Sequence, residues 1–263
     1  MLHIFIAILL SAITLTAHAD LLDTVKARGV LIVGIGPDNP PYARRNKNQT
    51  FSGYDIDFAS LIAKKIGVNL QVVDLNPNER ISSVKSGKID VLVAAFTKTP
   101  EREREVSCSL GYFVAAQKAL SRKGRYHSPE SLANARLGTS KGSTGESVSR
   151  KMYPNANILT FTDTPHAIEA LEQGNIDAVM HDEPALAAAL NKMKNKAQYE
   201  ISNFVNTTEI LAIAVKLGET RLMNLVNESL IDSEKNGEAA QIFNRWFGPD
   251  TNTAFPRTFR ING

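Results

Sequence analysis

Val84-Lys85-Ser86-Gly87-Lys88-Ile89-Asp90-Val91-Leu92-Val93-Ala94 reads as a helix end, a glycine suited to a left-handed cap, a short turn and an apolar strand. Leu171-Glu172-Gln173-Gly174-Asn175-Ile176-Asp177-Ala178-Val179-Met180-His181 reads the same way. The shared Gly-x-Ile-Asp core is short, and two ordinary helix-to-strand units can share it by coincidence. The setting argues for more, because each copy sits inside its own alternation of strands and helices.

In the first half, Val30–Ile35 is a continuous apolar run, as expected for a strand buried on both faces. Tyr54–Ile66 carries Phe58, Ile62 and Ile66 four residues apart, with Gly67 as C-cap, and is predicted helical. Strands are predicted at Leu70–Asp74 and Asp90–Ala95, a helix at Arg80–Ser86, and a helix start at Pro100. The second half repeats the style. Strands are expected at Arg136–Thr139, Ile158–Phe161, Ala178–His181 and Ile210–Val215. Helices are expected from Gly142-Ser143-Thr144-Gly145 to about Met152, after Asp163 or Thr164, from about Pro184, and near Glu219–Lys235 and Glu238–Phe247. Residues from Gly248 onward read as an extended tail.

Such alternation implies an α/β protein with mostly parallel sheets. In those sheets ligands bind beyond the carboxyl ends of strands. That rule marks Ala95–Thr97 in one half and His181–Asp182 in the other, which suggests a cleft between two lobes.

The 263 residues suffice for two lobes of ordinary size. Hydrophobic residues at 43% and charged residues at 22% indicate a packed core rather than disorder. A formal charge of only +3, with Lys and Arg interspersed among Asp and Glu, argues against a nucleic-acid binder. Ile4–Leu15 is an apolar run of signal-peptide length, followed by Ala17-His18-Ala19 in the small-x-small pattern. Residues 1–19 are therefore expected to be a signal peptide cleaved before Asp20, the alternative being a buried N-terminal helix. Cys108 is the single cysteine, so no intramolecular disulfide is possible, and it lies too far from the cleavage site to carry a lipid anchor there. A soluble periplasmic protein fits these features.

Gly53-Tyr54-Asp55-Ile56-Asp57-Phe58 resembles the signature of bacterial extracellular solute-binding proteins of the polar amino acid group. The resemblance continues in order along most of the chain, through Pro40-Pro41-Tyr42, Ser86-Gly87-Lys88-Ile89-Asp90, Thr97-x-Thr99-x-Glu101-Arg102, Gly142-Ser143-Thr144 and Asp177-Ala178-Val179-Met180-His181-Asp182. It implies the two-lobed periplasmic binding protein fold of type II, with two hinge strands and closure on the ligand. Lobe 1 is then expected to comprise residues 20–113 and 211–263, and lobe 2 residues 114–210, with the hinge crossing near Val114–Lys118 and Asn206–Ile210. The resemblance further implies delivery of an amino acid to an ABC importer permease in the inner membrane. No cofactor or metal is implied, and monomer is the default.

A zwitterionic amino acid needs donors for its α-carboxylate and acceptors for its α-ammonium. Arg102 offers a planar, bidentate fork, and the backbone N–H groups of Ser143 and Thr144 begin a helix, where donors are free. Asp182, the Thr97 hydroxyl and the Ala95 carbonyl suit the ammonium. The resemblance places these groups at the ligand. Without it, Arg102 within Glu101-Arg102-Glu103-Arg104-Glu105 also reads as a solvated helix face, and Asp182 as an N-cap. Asp55 and Asp57 read as structural.

Positions that face the ligand side chain in relatives correspond to Asn39, Tyr42, Arg80, Ser140, Lys141 and His181. Arg80 and Lys141 point to a side-chain carboxylate, so glutamate or aspartate is the first expectation and glutamine the second. For Arg80, a surface ion pair with Glu79 or Asp74 is an equally open reading. Two other functions stay open. One is a periplasmic enzyme resembling a cyclohexadienyl dehydratase, with Glu146 or Glu183 as the nearest acid–base candidates. The other is a sensor's ligand-binding domain.

Overall fold

The computed structural model describes residues 20–36 and 38–262. The expected signal peptide, residues 1–19, lies outside them. The described residues form twelve strands: β1 Val30–Ile35, β2 Asp38–Asn39, β3 Ala43–Arg45, β4 Phe51–Ser52, β5 Asn69–Asp74, β6 Val91–Leu92, β7 Val106–Arg122, β8 Arg136–Ser140, β9 Asn157–Phe161, β10 Ala178–Asp182, β11 Tyr199–Ile201 and β12 Thr207–Lys216. The helices are α1 Leu21–Arg28, α2 Tyr54–Ile66, α3 Arg80–Ser86, α4 Pro100–Glu103, α5 Thr144–Met152, α6 Thr164–Glu172, α7 Glu183–Lys192, α8 Thr220–Lys235 and α9 Glu238–Phe247. A nine-stranded sheet runs β5-β1-β6-β12-β7-β10-β8-β9, with β11 also on β7, and β2-β3-β4 form a small separate sheet.

The pairing is mixed. β5, β1 and β6 are parallel, as are β10, β8 and β9, in accord with the alternation of the sequence. The strands joining these two parallel groups, β7 and β12, pair antiparallel to each other and to their other neighbours. Each parallel group with its helices makes one lobe of an α/β two-lobed fold. The repeated Gly-x-Ile-Asp unit is a structural repeat in the same way. Gly87 and Gly174 both have positive φ, 73° and 77°. Asp90 takes the N–H of Ile32 at 2.7 Å and returns its own N–H to the Ile32 carbonyl at 2.9 Å. Asp177 does the same with Arg136, at 2.9 and 2.7 Å. Each aspartate thus pins its strand to the parallel neighbour, and so fixes where that strand's carboxyl end emerges.

The core divides accordingly. Along β1, Leu31, Val33 and Ile35 enter one cluster with α2, α8 and α9, while Ile32 packs into another with Val84, Ile89 and Leu92. Along β10, Val179 packs with α6 while Ala178 and Met180 face Leu137 and Tyr153. On β7 the side chains change cluster between Ala115 and Ala119. The tail turns over residues 248–253, has no helix or strand after them, and packs back: Phe255 and Phe259 lie against Phe113, Ile261 is buried, and Arg257 pairs with Glu234.

Tyr42, expected at the ligand, belongs to this core. It is fully buried, with its ring 5.4 Å from Phe113 and 5.7 Å from Phe247. The Pro40-Pro41-Tyr42 turn sends this large apolar ring inward, where burial is worth more than contact with a polar ligand. Gly53 holds that turn against α2. Its φ is 149°, and a Cβ there would stand 2.1 Å from the Tyr42 carbonyl oxygen. Gly53→Ala is expected to lower the unfolding free energy by about 3 kcal/mol or more, measured by chemical denaturation. A loss below about 1 kcal/mol would show that the turn adjusts freely.

Candidate functional site

The cleft is built from its base upward. The start of α2 places Asp55 under the segment that follows β6. One Asp55 oxygen accepts the Ala95 N–H at 2.9 Å and the other accepts the Tyr112 hydroxyl at 2.6 Å. Ala95 is held at φ 43°, a region that an alanine adopts only under constraint. The following residues are fastened to β12, where Ala212 donates to the Phe96 carbonyl and Lys98 to the Ile210 carbonyl, both at 2.8 Å. Burial raises the Asp55 carboxyl to about 6 despite its two donors and the nearby Arg80 charge. Asp57 accepts from Arg245 and Trp246, each at 2.7 Å. Both aspartates thus have the structural roles read from the sequence.

Arg102 is carried by α4, which Thr99 caps by accepting the Arg102 N–H at 3.3 Å. Its guanidinium lies 4.3 Å over the Phe96 ring. One terminal nitrogen donates to the Thr97 carbonyl at 3.0 Å, and the other reaches across the cleft to the Gly142 carbonyl at 3.3 Å. Desolvation lowers its pKa, while the fields of Glu209 and Asp182 act in the opposite direction.

The facing wall is the β8–α5 turn. Ser143 caps α5 by accepting the Glu146 N–H at 3.3 Å and donates its hydroxyl to the Ser140 carbonyl at 2.7 Å. The Ser143 N–H, expected to be available to a ligand, is already bound to the Ser140 carbonyl at 3.1 Å, because the turn closes on itself. The free-donor positions shift to Thr144 and Gly145, the first two residues of the helix, which have no acceptor within it by geometry. Gly142 has φ 78°, and a Cβ there would stand 2.8 Å from Asn78 Cα on the opposite lobe. The lobes therefore approach closely at a position only glycine fits.

His181 and Asp182 end β10. The His181 Nδ1 accepts the Asp182 N–H at 2.7 Å, which leaves the ring proton on Nε2. Burial and the Arg80 charge lower His181 to about 4, so it is a neutral donor at pH 7. Asp182 is buried, and its pKa lies well above the usual carboxylate range because of burial and the neighbouring Glu209 carboxyl. Glu209 accepts the Thr97 hydroxyl at 2.9 Å and the Thr144 hydroxyl at 3.1 Å with one oxygen, and the Gln117 amide at 3.0 Å with the other.

One cavity gathers most of the residues picked from the sequence. Ala95, Thr97, Arg102, Arg80 and Asn39 line it together with Ser140, Ser143, Thr144, His181 and Asp182. Two do not belong. Tyr42 is in the core, and Lys141 is exposed outside the cavity lining, because its backbone is tied to Phe161 at the edge of the turn. Arg80 is buried rather than at the surface and makes no pair with Glu79 or Asp74. Its Nη1 donates to the Ala94 carbonyl at 2.8 Å, and its Nε has no partner. The sequence reading missed Gln117, Asn76, Asp163 and Thr164 in the lining, and Glu209 beneath it. A carboxylate just ahead of the apolar run Ile210–Val215 was the available signal for Glu209. The acid–base candidates are engaged elsewhere: Glu146 accepts from Gly142 and Arg150, and Glu183 pairs with Lys118 at 2.8 Å. Among the described residues no group of three or more His, Cys, Asp or Glu side chains could hold a metal ion, and no helix is long and apolar enough to cross a membrane.

Residues 31–249 match the model of the bacterial extracellular solute-binding proteins, family 3. The chain is 32% identical over 237 residues to the ABC transporter glutamine-binding protein GlnH of Bacillus subtilis, covering 88% of this chain and 86% of that one. It is 26% identical over 247 residues to the L-cystine-binding protein TcyJ of Escherichia coli, covering 92% of each. Among solved structures, an ancestral amino acid-binding protein described as a precursor of cyclohexadienyl dehydratase superposes with a TM-score of 0.79 at 30% identity, over 87% of this chain and 100% of that one.

The raised Asp55 carboxyl sets a pH dependence of stability. The folded state holds its proton more tightly than the unfolded state, so the cost of ionising it is absent below about pH 4 and complete above about pH 6. Relative to Asp55→Asn, whose side chain does not titrate, the wild type is expected to lose about 3 kcal/mol as pH rises through that window. Denaturation of both proteins across this range measures it. A difference that stays flat with pH would mean that Asp55 ionises normally in the fold.

Proposed function

The chain belongs to the bacterial extracellular solute-binding proteins, family 3, and from that membership we propose that it captures one polar amino acid between its lobes and presents it, periplasmically, to an ABC importer. The carrying observation is the placement of Arg102 and Asp182 in one cavity, with Arg102 bonded only to carbonyl oxygens. The carboxylate of the ligand would take the Arg102 fork together with the Thr144 and Gly145 N–H groups, and its ammonium would take Asp182. Closure is supported by contacts that span the cleft, including Thr97 to Thr144 at 3.1 Å. The lobes would be residues 20–113 with 211–263, and residues 114–210, turning on β7 and β12.

For the side chain, the geometry supports an amide over a carboxylate, reversing the order expected from the sequence. The pair of cations that favoured glutamate does not form, since Lys141 is off the cavity and Arg80 is bound to Ala94. What remains is a neutral His181 Nε2–H donor and an Asn39 amide oxygen without a partner. A side-chain amide supplies both the acceptor and the donor that these require. Glutamine is therefore the first ligand to test, with glutamate and aspartate next. One observation favours the alternative of catalysis: a carboxyl with a raised pKa in a cavity is a general-acid candidate.

Calorimetric titration against the twenty amino acids is expected to give one-to-one binding with glutamine or a close relative. Arg102→Ala is expected to cost about 2–5 kcal/mol, or about thirty-fold to several thousand-fold in affinity. An affinity within about threefold of wild type would remove Arg102 from the site. Lys141→Ala is expected to leave affinity within about twofold, since an exposed lysine outside the cavity contributes little. Turnover of prephenate or arogenate would replace the transport reading with the enzymatic one.

A further inference from the structure

Glu209 is 4% exposed and lies beneath the cavity on β12, opposite Ala115 of β7. One of its oxygens accepts the amide of Gln117, its diagonal neighbour on β7, at 3.0 Å. The other accepts two hydroxyl protons, from Thr97 at 2.9 Å and from Thr144 at 3.1 Å. An antiparallel bridge to Leu211 of β12 brings Thr97 to this point after β6, and Thr144 arrives as the first residue of α5 after β8. The two hydroxyls thus reach one carboxyl oxygen from opposite sides of the cleft, and both threonines line the cavity.

A threonine hydroxyl has one proton and two lone pairs. The Thr97 and Thr144 hydroxyl oxygens also stand 3.1 Å apart, but with both protons directed to Glu209 neither is left for the other. None is left for a molecule in the cavity either, so toward the cavity these two hydroxyls are acceptors only. A ligand carboxylate placed against them would meet lone pairs. An ammonium has three N–H donors and no acceptor, and it is the group that fits there. With Asp182, which lines the same cavity, Thr97 and Thr144 give each of those N–H bonds an acceptor. Donors for a ligand carboxylate come from other atoms, the Arg102 guanidinium and the Thr144 and Gly145 N–H groups. The β8–α5 turn therefore offers a backbone donor and a side-chain acceptor from one residue.

We propose that Glu209 is a positioning residue that fixes the Thr97 and Thr144 hydroxyls as acceptors, and so makes the site select a ligand with a primary α-ammonium over the same molecule without it. This rests on the amino acid reading given above, and it assigns part of the ammonium selectivity to a residue beneath the cavity lining. The hydroxyls come from the two sides of the cleft, so the acceptor pair is complete only while those sides are close.

The test is calorimetric titration, by competition where binding is weak, of wild type, Glu209→Ala and Thr144→Val. The ligands are L-glutamine and glutaramate, which is glutamine without its α-ammonium. If another of the twenty amino acids binds instead, it and its deaminated analogue take their place. Glu209→Ala is expected to weaken the amino acid about tenfold or more and the deaminated analogue less than about threefold. Thr144→Val keeps the side-chain shape but removes the lone pairs, and it is expected to show the same selective loss. It decides the matter by the same ratio if Glu209→Ala does not fold. Equal fold losses for the two ligands would make Glu209 only a clasp that holds the cleft shut, and would overturn the proposal. A loss below about threefold for the amino acid in both variants would overturn it as well. A wild type that binds none of the twenty amino acids would overturn the amino acid reading itself, before any variant is compared.

Discussion

A guanidinium and a carboxyl group face one cavity without neutralising each other. Buried charges are ordinarily paired, because leaving water is costly for each of them. Here the Arg102 nitrogens go to the carbonyls of Thr97 and Gly142, its face rests on Phe96, and Asp182 lies against another acid. Hydrogen bonds to uncharged carbonyls hold the guanidinium in place without cancelling its charge. A small zwitterion, with its own charges a few bonds apart, is the kind of molecule that completes both at once.

The fold keeps these groups apart by drawing them from different lobes. Arg102 follows the parallel group that contains β6, and Asp182 ends the parallel group that contains β10. In each group an aspartate of the repeated unit locks the strand to its neighbour, Asp90 to Ile32 and Asp177 to Arg136. β7 and β12 join the groups, and both contribute to the base of the cleft, through Gln117 and Glu209. Glu209 accepts a hydroxyl from each lobe, Thr97 and Thr144, on one oxygen. That atom therefore has a hydrogen-bond partner from each side of the cleft, and it makes both contacts only while the two sides are close.

Much of this architecture was legible in the sequence. Periodicity located α2, α3 and α9 to the residue, because their apolar positions recur at helical spacing and glycines end the first two and flank the third. The long strand β7 was not legible as a strand, since it threads between cores and its side chains meet a different environment every few residues. The small β2-β3-β4 sheet has almost no apolar pattern to read. Arg102 and Asp182, which the resemblance implies at a ligand, line one cavity. Tyr42 was expected at the ligand by correspondence with relatives, which does not say which way a ring points, and it packs into the core. Lys141, expected there on the same ground, is exposed and outside the cavity lining. Glu209 and Gln117 escaped notice because their role comes from strands meeting in space, which spacing along the chain does not encode.

The claim that opposite charges on the two lobes grip the two ends of one molecule is tested most directly with analogues of the bound amino acid that lack one end. For glutamine these are the analogue without the α-ammonium and the analogue without the α-carboxylate, titrated beside the parent compound. The account predicts that each loses affinity by about a hundredfold or more, since each leaves one buried charge without its complement. An analogue lacking either charge that binds within about threefold of the parent would contradict it.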